Sequence, residues 1–264
     1  MKCGQVSAMT SLFNSRARCR RESSIRMSNA GWNYRLTSLL LLPLISFALR
    51  AAPNEIKVFT DELAAYGEHT LETHVNKASR AGRRAENQNV PLQVMPEYSY
   101  GLRQDWELSL QLPAALGAHS RLEGYRVELQ YVAPHDATQG FYWGMNVELA
   151  RMNRLGEQEF WNVEVIPIAG YRHARWHLVA NPGFDKAISG ASKSVNFQPA
   201  AKAAYRTTER EYVGFEYYAE AGSRTLYVAW DGKVGKSDVN LGLGRGLTGA
   251  SDRWVLKMIW EIAF

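Results

Sequence analysis

The side chains that could do chemistry here are six histidines, His69, His74, His119, His135, His173 and His177, and two cysteines, Cys3 and Cys19. Acyl transfer by a serine needs a base and an orienting carboxylate within hydrogen-bond reach, and no G-x-S-x-G elbow is present to expose such a serine. His173 and His177 are four apart, a spacing that pairs ligands on a helix. Trp176 and Leu178 instead place His177 on a strand, where that spacing does not bring the rings together, and His173 reads as a turn residue. H-E-x-x-H and cysteine-based metal patterns do not occur. The run GLGRGLTG, Gly242 to Gly249, lacks the Lys-Ser or Lys-Thr and the helix of a phosphate loop, and reads as closely packed strand glycines. No catalytic, cofactor-binding or metal residue follows from these types and spacings, and no enzyme is expected.

What remains is a set of charged side chains at alternate positions. Glu107, Arg126, Glu128, Glu148, Glu164, Lys202, Glu216, Glu220, Asp238 and Lys257 share one phase, and Glu72, Glu97, Arg253 and Glu261 extend it. Acids in this set outnumber bases ten to four. Enclosed by a low-dielectric wall, such groups must be paired or hydrated. They describe either a self-paired interior that only stabilises the fold, or a narrow lumen whose acid excess favours cations or hydroxylated small solutes.

The elements that carry these charges repeat every two residues. Trp254, Leu256, Met258, Trp260, Ile262 and Phe264 alternate with Arg253, Lys257 and Glu261, as one face of a strand does. The same alternation recurs at 106–112, 125–131, 141–149, 161–165, 213–219 and 239–243, and more weakly at 71–75, 98–102, 176–180, 201–205 and 226–230. Twelve strands result. In a soluble sandwich or lipocalin-like barrel the apolar set points inward; in an outer-membrane barrel it faces lipid and the polar set lines the interior. Tryptophans 106, 143, 161, 176, 230, 254 and 260, with many of the tyrosines, fall near strand ends, where an aromatic girdle belongs. We therefore expect an all-β, antiparallel transmembrane barrel of about 12 strands, in contact with outer-membrane lipid. Trp260, Ile262 and Phe264, at alternate positions up to the last residue, resemble the terminal signature by which barrel-assembly machinery recognises outer-membrane barrels. Tight links at 101–105 and 171–175, with long ones at 78–90 and 185–195, match short turns at one end and loops at the other.

The amino terminus reads differently. Leu36 to Leu49 is apolar, follows Arg35 and precedes Ala51, Ala52 and Pro53; it is too short to span a bilayer as a helix and has the order of a secretory signal. Residues 1–51 are expected to be a leader, with 1–26 either a mis-assigned start ahead of Met27 or an extended positive end of the signal, 27–51 the signal peptide and 52–264 the barrel domain. The whole chain has a formal charge of +5. The leader takes 8 of the 31 Lys and Arg and 1 of the 26 acids, leaving 23 bases against 25 acids. A near-neutral mature chain argues against nucleic-acid binding. Both cysteines leave with the leader, so no disulfide framework is expected.

The segments PEYSYGLRQDWELSLQLP (96–113), GFEYYAEAG (214–222) and NLGLGRGLTGASDRWVLKMIWEIAF (240–264) resemble strand-turn-strand units of Gram-negative outer-membrane barrels. They are most similar to the transporter-like barrels associated with the phenol meta-degradation pathway. That resemblance covers residues 54–264 and implies uptake or efflux of small, aromatic compounds, with no active site to carry over. A copper-resistance barrel is a related alternative, but the Met- and His-rich tract that would hold copper is absent. A non-conducting envelope barrel that binds partners through its loops is the other alternative.

Overall fold

A computed structural model describes residues 56–79, 90–153, 158–190 and 194–264; the expected leader and both cysteines lie outside them. Fourteen strands form: β1 His69–Ser79, β2 Leu92–Arg103, β3 Trp106–Gln111, β4 Ala114–Leu116, β5 Arg121–Leu122, β6 Gly124–Val132, β7 Gly140–Met152, β8 Phe160–His173, β9 Trp176–Ala187, β10 Val195–Arg206, β11 Tyr212–Glu220, β12 Ser223–Val234, β13 Ser237–Gly246 and β14 Trp254–Ala263. All neighbouring pairs are antiparallel, and β1 pairs with both β2 and β14, which closes the sheet on itself. Among the described residues every strand but the two-residue β5 is thereby paired on both sides, the condition for crossing a bilayer with strands.

The wall has twelve strands because β3–β4 and β5–β6 are each one strand interrupted. Both β3 and β4 pair with β2, and the break falls at Pro113, which has no N–H for the ladder. The second break is a register shift at Glu123 and Gly124, where Gly124 has φ of +136°. Each of the twelve expected strands is present, extended at its ends beyond the clearest alternation.

Outward and inward faces follow the period. Leu110, Val127, Met145, Leu178, Val228, Leu243 and Leu256 are exposed, whereas Glu72, Glu97, Glu128, Glu148, Glu216 and Lys257 are buried. Trp254 and Trp260 point out, and Phe264 is 71% exposed. A greasy exterior around a polar interior is the arrangement a bilayer selects, since lipid cannot hydrate a charge. Two aromatic belts flank the apolar band. At the end holding the links β2–β3 and β8–β9, Trp106 packs on Tyr131 at 4.8 Å, Trp176 on Tyr205 at 5.1 Å and His69 on Phe264 at 6.0 Å. At the opposite end Tyr125 meets Trp161 at 6.0 Å and Phe184 meets Phe197 at 5.1 Å.

Link lengths alternate less regularly than expected. Gln104–Asp105 and Ala174–Arg175 are tight, as expected, but Ala221–Gly222 closes β11 to β12 equally tightly at the other end. Its φ values of +44° and +86° belong to a two-residue hairpin turn, which needs no loop.

The glycine run lies in β13, with Gly242 and Gly244 turned inward. The Lys257 stem covers Gly242 and the Tyr227 ring covers Gly244, where an added Cβ would fall 2.4 Å from the ring. Only a residue without a side chain leaves that ring its place, so Gly244→Ala should destabilise the barrel by about 1–3 kcal/mol through overpacking. Urea unfolding in lipid vesicles measures this, and an unchanged midpoint would refute the packing account.

Candidate functional site

Residues 56–66 belong to no strand and enter the lumen. Eleven residues reach roughly 35 Å when extended, enough chain to cross an apolar band of about 25 Å. The segment begins near the loop end, where Ile56 packs with Ala78, Val90, Tyr227 and Val255. It leaves at the turn end, where the Gly67 amide donates to the Gly101 carbonyl at 2.9 Å before β1 begins.

Side chains from around the wall hold it. Asn181 on β9 accepts from the Phe59 amide at 2.8 Å and donates to the Phe59 carbonyl at 3.0 Å. Gln130 on β6 donates to the Thr60 carbonyl at 3.1 Å, and Glu107 on β3 accepts from the Ala64 amide at 2.5 Å. These contacts do what a neighbouring strand would otherwise do, since buried backbone groups need partners. Val58 and Phe59 cover an apolar strip of the wall made by Tyr142, Ile166, Ile168 and Val179.

Three charged clusters surround this segment. In the first, the Arg172 guanidinium donates to both Asp61 oxygens, at 2.5 and 3.3 Å, and His135 Nε2 lies 2.9 Å from Asp61 Oδ2. His177 lies 3.9 Å from Asp61 and 2.7 Å from the Tyr142 hydroxyl. In the second, Lys257 donates to Glu216, to the Ile56 carbonyl at 3.1 Å and to the Tyr218 hydroxyl at 3.2 Å. Lys202 reaches Asp231 at 2.7 Å and Glu216 at 3.5 Å. In the third, His74 Nε2 lies 2.5 Å from Glu72 and 3.5 Å from Glu97, while Lys57 Nζ is 2.8 Å from Glu72 and 3.8 Å from Glu97. Gln111 continues the polar wall by donating to Glu97 at 3.1 Å and Glu128 at 2.9 Å.

The residues singled out in the sequence are distributed over these surroundings. Glu107, Arg126, Glu128, Glu148, Glu216 and Lys257 are buried inside the wall, and Arg126 donates to Glu148 at 3.2 Å. Glu164, Lys202 and Glu220 are half-buried. Asp238 is exposed and pairs with Lys233 at 2.7 Å, because it sits beside the Gly235–Lys236 turn at the rim; the expectation of an enclosed Asp238 is corrected. Arg253 likewise lies exposed ahead of β14. Trp260 and the half-buried Ile262 lie in the outward phase of β14, and Phe264 follows its last residue, Ala263.

Sequence reasoning passed over Lys57 and Asp61, which sit in a segment with no period. His74, Arg172 and His177 were within its reach: each shares the phase of buried neighbours, His74 with Glu72 and Asn76, and Arg172 with Ile168.

No protein-family model matches the chain, and no curated protein matches it. Solved structures do. The chain superposes on an outer membrane channel from Pseudomonas putida F1 with a TM-score of 0.60 at 13% identity, over 80% of this chain and 100% of that one. The KdgM porin in complex with disordered oligogalacturonate matches with a TM-score of 0.53 at 11% identity, over 74% and 99%. The KdgM porin without it gives 0.52 at 10% identity over the same shares. At these identities the likeness is one of fold, and that fold is the outer-membrane β-barrel.

Proposed function

We propose that this protein is a transport barrel for small solutes, aromatic or cationic, in the outer membrane of a Gram-negative bacterium, closed by its own residues 56–66 and open when they withdraw. One observation carries this reading: the lumen is occupied by a segment outside the strand ladder that is held there by separable polar contacts. A twelve-stranded ring is wider than the eight-stranded barrels that side chains alone can fill, so removing the segment leaves a passage. That passage has carboxylates on one side and the strip of Tyr142, Ile166, Ile168 and Val179 on the other. Amphipathic cations and neutral hydroxylated aromatics suit both surfaces; a polyanion such as the oligogalacturonate held by KdgM does not.

Planar-bilayer recording tests the reading. Full-length mature protein should conduct rarely, and a variant lacking residues 53–63 should show sustained unit conductance that favours cations. A folded deletion variant that never conducts would establish the second reading, a non-conducting envelope barrel, which the filled lumen also favours.

The terminal residues Trp260, Ile262 and Phe264 act, in this proposal, as the signal for barrel-assembly machinery. Deleting Phe264 should lower the heat-modifiable protein in outer-membrane fractions several-fold while leaving refolding into detergent intact. Equal yields would remove that role.

A further inference from the structure

The third charged cluster has the composition of a metal site. Glu72 and His74 are two apart on β1 and so share its inward face, and β2 places Glu97 opposite Glu72. One ligand atom from each of the three lies within 4.8 Å of the others, and all three side chains are buried. One imidazole nitrogen and two carboxylate oxygens form a donor set suited to zinc, cobalt, nickel or copper, whereas calcium and magnesium prefer oxygen alone. Zinc bonds of about 2.0–2.2 Å hold tetrahedral ligand atoms roughly 3.3–3.6 Å apart, so His74 Nε2 and Glu97 already stand at a suitable 3.5 Å while His74 Nε2 and Glu72, now 2.5 Å apart, would separate to admit the ion.

A second observation points to a cation. The Lys57 ammonium already sits against this cluster, bonded to Glu72 and close to Glu97, and it arrives on the same segment that closes the lumen. The wall thus holds a positive charge on a tether. Around it, Gln93 stands fully buried on the side of His74 away from Glu97, and neither of its amide atoms has a hydrogen-bond partner; His74 Nδ1 has none either.

We propose that Glu72, His74 and Glu97 form a binding site for a divalent transition metal ion of the zinc class, with Lys57 as its resident competitor. The ion and the seated segment then exclude one another. A divalent ion neutralises both carboxylates, which one ammonium does not, and by linkage whatever binds only the unseated state draws the segment out. The gating half of this inference rests on the reading of residues 56–66 as a displaceable closure; the site itself does not.

The test uses the full mature barrel, refolded without a histidine tag, with folding of every variant confirmed by heat-modifiable migration. Zinc affinity is measured by competition with a chromophoric chelator, and cobalt is added for its visible ligand-field bands. Wild type should bind one zinc, Lys57→Met should bind it at least tenfold more tightly, and adding His74→Gln or Glu97→Gln to Lys57→Met should weaken binding at least tenfold. In bilayers zinc should raise the open probability of wild type but not of His74→Gln. A folded Lys57→Met barrel with no single saturable site, or with binding unchanged by His74→Gln, overturns the site. Equal affinity in wild type and Lys57→Met overturns the competition. Zinc binding as expected in a barrel that no variant opens would instead refute the pore reading, and a pore opened by Asp61→Ala but indifferent to zinc would refute only the metal gate.

Discussion

If residues 56–66 close the barrel as proposed, Asp61→Ala should raise its open probability in planar bilayers by roughly tenfold to a hundredfold. Asp61 is the most heavily held residue of the closing segment, taking two bonds from Arg172 and one contact from His135. Hydrogen bonds to charged groups contribute about 1.5–3 kcal/mol each, and every 1.4 kcal/mol changes a two-state ratio by about tenfold. Truncation also leaves the Arg172 guanidinium without its counter-ion when the segment is seated, a penalty that water relieves once the segment leaves. Asn181→Ala removes only neutral bonds to Phe59 and should act in the same direction with a smaller effect. Arg172→Ala together with Asp61→Ala should give less than the sum of the separate effects, since one interaction is lost twice. An unchanged open probability in folded Asp61→Ala would show that the segment is not held where its contacts are strongest.

Glu216→Gln should cost the barrel about 3–5 kcal/mol of unfolding free energy, and urea titration in vesicles checks this. Glu216 is the shared counter-ion of Lys257 and Lys202, and Lys257 is 1% exposed. Neutralising it leaves two ammonium groups near each other in a wall that supplies little hydration, and breaking a buried pair from one side costs this much. Lys257 would retain neutral partners, the Ile56 carbonyl, the Tyr218 hydroxyl and the faces of Tyr218 and Tyr227, but no counter-ion in bonding contact. The double variant Glu216→Gln with Lys257→Met should recover a large part of the loss, because both charges of the pair then go together. Single-variant losses below about 1 kcal/mol would mean that water reaches the cluster and that the pair is screened.

The two variants act on different quantities because their partners differ in kind. Arg172 and Asp61 join the wall to the segment proposed to withdraw, so in that reading their loss shifts a gate. Glu216 and Lys257 join two strands of the wall, β11 and β14, so their loss weakens the ring itself.

The amino-acid sequence determined the wall. A period of two is a local property: once Trp254, Leu256, Met258 and Trp260 alternate with charged residues, a strand must show lipid one side and the interior the other, whichever strands become its neighbours. The tertiary structure decided what occupies the interior. Residues 56–66 have no period because they pair with no strand; their partners, Asn181, Arg172, Gln130 and Glu107, are distant in the chain and meet only when the ring closes. Asp238 shows the same limit from the opposite side, since phase tells which face a residue takes but not how near the rim it lies. The meeting of Glu72, His74 and Glu97 with Lys57 also needed β1 to pair with β2 and the segment to pass within reach. Burial and charge pairing depend on closure, and closure is a property of the whole ring rather than of any one strand.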